Sequence, residues 1–116
     1  LIVQKLEANP SAFGIFGYSY LDNNRDRIQA ATIEGVEIDI DSIQDYSYPV
    51  SRPLFFYVKK QHIGVVPGLK EYLSEFTADD SIGDEGYLMD AGLVPLSAEK
   101  RAKLQKDASG LVVMSK

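Results

Sequence analysis

Cysteine is absent from the 116 residues. Its absence removes disulfide frameworks, thiolate zinc sites, iron–sulfur clusters and cysteine nucleophiles. It leaves the compartment open, because reduced cytosolic proteins and exported bacterial proteins alike do without it. Tryptophan is absent too, and histidine occurs once, at His62. Positive charge is scarce: 12 Lys and Arg against 17 Asp and Glu give a net charge of -5. The basic stripe of a nucleic-acid binder is therefore missing, and nucleic acid is not an expected partner. No apolar run approaches the roughly 18 residues that span a bilayer. No G-x-S-x-G, H-E-x-x-H, G-x-G-x-x-G or P-loop spacing occurs. What is present is 45% hydrophobic and 25% charged, the balance of an ordinary globular domain of this length.

Apolar spacing places a helix at the start of the chain, where Ile2, Val3 and Leu6 share a face. Asn9-Pro10 stops it, because the residue before a proline is pushed out of the α region. No N-cap residue and no Met precede this helix, a pattern expected of a chain cut from something longer, with any targeting segment in the missing part. Residues 12–18 are aromatic with glycines three apart and read as a short buried strand. A short helix should follow from Tyr18, ending in Asp22-Asn23-Asn24. Strands are expected at 29–33 and 36–40, joined by a turn at Glu34-Gly35; in the second, Val36, Ile38 and Ile40 alternate with acids. Asp41 and Gln44 resemble a capping box for one helical turn.

Two prolines four apart, Pro49 and Pro53, hold Tyr48 and Arg52 extended. They lead into the continuous apolar run 54–58, which reads as a strand covered on both faces. A stiffened entry into a buried strand suits a crossover between two structural units. Helical spacing returns at Leu69, Tyr72, Leu73 and Phe76, which should be buried. Asp79-Asp80-Ser81 signals a helix over 82–89 that Gly92 stops, and Ser97 caps a last helix over 98–107. The tail 111–114 is apolar and has no assigned partner.

Chemistry-bearing residues are few. His62 has only Lys60, Gln61 and Ile63 beside it and reads as a solvated loop residue. Asp39, Asp41 and Asp45 lack the glycine and distal glutamate of a calcium loop and read as strand-edge and capping acids. Asp79-Asp80 with Asp84-Glu85 reads as an acidic helix start. No catalytic residue, metal site or cofactor is expected, and the chain is not expected to be an enzyme. Ser51-Arg52 is a polar pair in an apolar region. It reads either as a cleft group meeting an oxyanion, which arginine matches bidentately, or as a hinge or surface ion-pair element. The aromatic set Phe13, Phe16, Tyr18, Tyr20, Phe55, Phe56 and Tyr57 reads as core.

Three segments taken together resemble the C-terminal part of the phosphate-binding proteins of bacterial phosphate ABC transporters, the PstS family. They are the Asn-Pro-Ser-Ala-Phe-Gly-Ile-Phe-Gly-Tyr-Ser-Tyr run from Asn9 to Tyr20, the Tyr-Ser-Tyr-Pro-Val-Ser-Arg-Pro-Leu-Phe-Phe-Tyr-Val run from Tyr46 to Val58, and the Tyr-Leu-Met-Asp-Ala-Gly-Leu-Val-Pro-Leu run from Tyr87 to Leu96. The tyrosine–proline–serine–arginine–proline run is the most specific of the three. The match in order and spacing covers roughly residues 1–106.

The resemblance implies an α/β chain, the C-terminal portion of a two-lobed type II periplasmic binding protein fold. On that map, 1–45 is the end of lobe two, 46–58 the inter-lobe crossover, and 59–116 the helices returning to lobe one. It implies a fragment of the transporter's substrate-binding component, which captures inorganic phosphate for ABC permease subunits in a bacterial periplasmic or extracytoplasmic space. The family's phosphate ligands lie in loops upstream of the matched segments, so none is carried onto this chain. Tyr48, Ser51 and Arg52 remain as cleft or hinge candidates. The alternatives are a receptor for another oxyanion, or a binding-protein-like interaction or regulatory module without ligand. A fragment of this kind is also expected to self-associate through strand edges or exchanged elements.

Overall fold

Helices are the regular elements of the described residues. The computed structural model, which describes residues 1–114, holds seven of them among those residues. The chain divides into two units, Leu1–Val50 and Ser51–Lys116.

In the first unit, α1 (Ile2–Glu7) buries Val3 and ends ahead of Asn9-Pro10. Arg27 reaches back to α1, its Nε donating to Glu7 Oε1 at 2.6 Å and its Nη2 to Glu7 Oε2. The hydrogen bond from Arg27 holds the Glu7 carboxyl below its ordinary range. A Cβ at Gly14 would sit 3.3 Å from Ile2 Cδ1, so residue 14 runs close beside α1. The second helix, α2 (Tyr18–Asp22), buries Leu21. It stops where the side-chain amides of Asn23 and Asn24 donate to the Ser19 and Tyr20 carbonyls, both at 2.9 Å. Glu34 and Gly35 adopt φ of 52° and 83° while Ile33 and Val36 exchange both backbone hydrogen bonds, a two-residue turn that suits a hairpin. The capping box of α3 (Ile40–Gln44) differs from the expected one. Asp39, not Asp41, is the N-cap; its Oδ1 accepts from Ser42 N at 2.7 Å while Ser42 Oγ accepts from Asp39 N at 3.0 Å. Ile40 and Asp41 are thereby drawn into the helix and out of the alternating pattern.

In the second unit, a short 3₁₀ turn (Lys60–His62) leads to α4 (Leu69–Phe76), entered through Gly68 at φ 78°. The helix spans the expected residues. Leu69, Leu73 and Phe76 are only half-buried, however, and Tyr72 is exposed. The single helix expected over 82–89 is instead two, α5 (Asp79–Ile82) and α6 (Tyr87–Asp90). Gly83 and Gly86 fall between them, and a Cβ at Gly86 would lie 2.5 Å from the Ser81 carbonyl oxygen. The chain turns there in a space that admits no side chain. The last helix, α7 (Ala98–Ser109), follows Ser97 and ends at Gly110.

The described residues do not confirm the α/β expectation. Strands expected at 12–18, 29–33, 36–40 and 54–58 do not form, and the only β pairing among those residues is two isolated bridges, Ile33 with Val36 and Ile63 with Val66. The reason is hydrogen-bond bookkeeping. A helix pairs its own N–H and C=O groups, whereas a strand's are paired only by a neighbour. Among the described residues, 13–16 and 51–58 make no backbone hydrogen bond at all. The aromatic core expectation falls with the strands: Phe13 is 90% exposed, Tyr57 72% and Phe55 56%, with Tyr20 and Phe56 exposed as well. Among the described residues the buried apolar side chains are instead Val3, Leu21 and Tyr48 in the first unit and Ile82 and Pro95 in the second.

Candidate functional site

Tyr48, Ser51 and Arg52 fall on either side of the division between the units. Tyr48 is a core residue of the first: its side chain is buried and its hydroxyl donates to the Ala31 carbonyl at 2.9 Å. Ser51 opens the second unit, and its Oγ is shielded from solvent with no hydrogen-bond partner among the described residues. Arg52 is exposed. It is the one arginine of the described residues with no hydrogen bond or ion pair. Arg25 is held by Asp22 and Tyr18, Arg27 by Glu7 and Asn24, and Arg101 by Asp79, Asp84 and the Leu96 carbonyl. A free guanidinium is one donor group that suits an oxyanion, and a single exposed one is a weak grip.

The structure uses the acidic residues of the sequence in ways that spacing alone did not show. Arg101 lies on α7 with its side chain 12% exposed, donating through Nε to Asp79 at 2.9 Å and through Nη2 to Asp84 at 3.0 Å. The carboxylates, Asp84 first, raise its pKa above the ordinary arginine value. One turn on, Gln105 Nε2 donates to the Thr77 carbonyl and to Asp79, both at 3.1 Å. Ser81, fully buried, donates from Oγ to the Glu75 carbonyl at 2.6 Å and pairs with the Tyr87 hydroxyl at 2.9 Å. The sequence signal for the arginine clasp was there, one arginine among the lysines of α7 with paired acids upstream, but not its direction. Asp39 caps α3, and Asp45 accepts from Ser47 N at 2.7 Å. His62 sits in the exposed 3₁₀ turn.

Each unit carries an open groove. In the second unit a space of about 490 Å³ is lined by Lys70, Leu73, Thr77, Gln105, Lys106 and Leu111. Two lysines stand on it, but Lys106 belongs to the last turn of α7, where outward carbonyls carry the negative end of the helix dipole and oppose an anion. In the first unit a space of about 480 Å³ is lined by Leu21, Arg25, Ile28, Gln29 and Glu37. Its arginine is the one already held by Asp22 and Tyr18.

The proteins that match the chain are, as a class, binding proteins. They are named phosphate-binding protein PstS. The chain is 34% identical to that of Staphylococcus haemolyticus over 96 residues, which is 76% of the chain and 30% of the relative. Against that of Staphylococcus saprophyticus it is 26% identical over 117 aligned positions, 97% of the chain and 35% of the relative. Against that of Staphylococcus epidermidis it is 31% identical over 111, covering 91% and 33%. The chain belongs to the PstS family, and it spans about a third of the length of the curated relatives it matches. No protein-family model and no solved structure matches it. No helix among the described residues is long and apolar enough to cross a membrane.

Proposed function

We propose that this chain is a segment of a phosphate-binding protein that captures inorganic phosphate outside the bacterial inner membrane and presents it to the permease subunits of an ABC transporter. The observation that carries the reading is similarity to PstS proteins along 76–97% of the chain. In this reading 1–45 is the end of one lobe of a type II periplasmic binding protein. Residues 46–58 are the crossover, and 59–116 are the helices that return to the other lobe. The division of the chain at Val50 and Ser51 supports a crossover there. In this reading Tyr48, buried in the first unit, and Ser51 and the exposed Arg52, which open the second, are hinge or cleft candidates.

Capture needs no covalent step. It needs donors for most of the phosphate oxygens, because an unpaired charge removed from water is very costly. One exposed arginine contributes about 1 kcal/mol, while even millimolar affinity requires about 4 kcal/mol. The chain alone therefore supplies scaffold and hinge, and the anion's donors come from the rest of the protein. The test is calorimetry with inorganic phosphate on two samples. One is this chain alone. The other is a chimera in which it replaces the matching 96 residues of the S. haemolyticus relative. The chain alone should give no saturable heat and the chimera should bind at micromolar concentration. A folded chimera that ignores phosphate overturns the reading, and micromolar binding by the chain alone overturns the placement of the donors.

A further inference from the structure

The tail 111–114 has no partner assigned by the sequence, yet the structure brings it to the basic part of the second unit. Leu111 takes a positive φ of 50°, a value that favours glycine, and Val112 N turns back to donate to the Asp107 carbonyl at 2.9 Å. Lys60 arrives from 51 positions earlier in the chain, its Nζ donating to the Leu111 carbonyl at 2.8 Å. Lys70 and Lys106 line the same groove as Leu111. Both are exposed, and neither makes an ion pair among the described residues. Asp107, the acid beside Lys106, is taken by Lys103 at 2.6 Å. Three lysines distant in sequence thus converge on Leu111, and Val112, Val113 and Met114 continue from it into solvent.

We infer that this face of the second unit is a contact for an anionic bilayer surface, with the lysines on the headgroups and the tail's apolar side chains in the interface. The inference goes beyond phosphate capture and does not rest on it. Charge complementarity selects the occupant. No acid lies between Asp45 and Glu71, whereas Arg52, Lys59, Lys60 and Lys70 do. The segment that supplies Lys60 and Lys70 is therefore positive although the chain as a whole is not. An anionic bilayer offers the two things such a patch lacks: negative charge spread over an area, and an apolar layer beneath it. A single anion in the groove would meet the negative end of the α7 dipole, whereas headgroups meet the ammonium groups at the ends of their stems. A second copy docked symmetrically would set the three lysines of one chain against those of the other.

Co-sedimentation of the full chain with vesicles tests this, at a concentration where sedimentation velocity shows monomer. Vesicles of phosphatidylglycerol should retain the chain and vesicles of phosphatidylcholine should not. Retention should be lost between roughly 0.05 and 0.5 M salt, as exposed charges are screened. Lys70→Gln with Lys106→Gln should weaken it about 25-fold, about fivefold for each lysine near an anionic surface. Lys5→Gln, in the first unit, should leave it unchanged. Val112→Ser with Val113→Ser should weaken it about tenfold through lost apolar burial. The substituted side chains are all exposed, so helix content by circular dichroism should stay the same. Where the double lysine variant loses helix content, the two single substitutions decide. No retention on phosphatidylglycerol, equal retention on both lipids, or an unchanged lysine variant overturns the inference. So does a loss on Lys5→Gln as large as that on Lys70→Gln, which would show attraction without a patch. Retention confined to oligomers, with the serine variant restoring the monomer, assigns the tail to a second copy and overturns it as well.

Discussion

Ser81 and Asp39 carry more of this structure than their size suggests. Ser81 has no exposed surface, and its hydroxyl joins the Glu75 carbonyl at the end of α4 to the Tyr87 hydroxyl on α6. Ser81→Ala leaves both groups without their shared partner. It should cost about 1–3 kcal/mol, the range for a buried hydrogen bond whose partners are left behind. Chemical denaturation followed by circular dichroism measures it, and a change under about half a kcal/mol would mean that water replaces the hydroxyl. Asp39 acts through charge. The Ser42 backbone N–H, followed by its side chain, holds the Asp39 carboxyl below its ordinary value of 3.8. A depressed folded value means that the contribution is complete above the unfolded value and disappears as pH falls through the folded one. Melting temperatures below about pH 4 should therefore fall less for Asp39→Asn than for the unaltered chain, because the amide keeps the acceptor and does not titrate. Parallel acid profiles for the two proteins would remove the carboxylate from the account.

At the scale of elements, α7 is held to the second unit by two residues one turn apart. Arg101 bridges Asp79 and Asp84 and donates to the Leu96 carbonyl, while Gln105 ties Thr77 and Asp79. Both carboxylates are well exposed, so solvent screens the ion pairs, whereas the guanidinium itself is enclosed. Arg101→Ala should cost about 1–3 kcal/mol through lost charged hydrogen bonds and packing. Arg101→Lys should recover little of that, because an ammonium cannot reproduce the planar fork that meets two carboxylates and a carbonyl. Thermal melts at low and high salt check the assignment. Full rescue by lysine, or a loss indifferent to salt, would show that the fork is not the cause. The tail is tied to the same unit by Lys60, whose Nζ donates to the Leu111 carbonyl at 2.8 Å, while Val112, Val113 and Met114 stay exposed.

At the scale of the whole molecule, both units leave large apolar side chains in solvent, Phe13 and Ile15 in the first and Leu54, Phe55, Tyr57, Val112 and Val113 in the second. Several of them lie in segments that carry a strand pattern without forming ladders. Such a surface favours association, so light scattering on the chain alone should report growth in mass with concentration. A monomer at high concentration would show that the surface is tolerated by solvent.

The sequence alone determined the features that close within a few residues. α1 stops where Asn9-Pro10 requires it, Glu34-Gly35 turns because both positions take positive φ, and Gly68 admits α4. Each of these depends on backbone sterics and bonds spanning four residues or fewer. Family resemblance was also legible, read from 9–20, 46–58 and 87–96, because residue order persists whether or not strands are paired. The tertiary structure decided what depends on distant partners. Arg101 drew Asp79 and Asp84 together, Arg27 closed on Glu7, and the Tyr48 hydroxyl found the Ala31 carbonyl. Above all it decided that 13–16 and 54–58 stay outside helix and strand, with no backbone hydrogen bond among the described residues. Alternating or continuous apolar character expresses a demand for burial, and a strand exists only when another strand lies beside it to meet that demand.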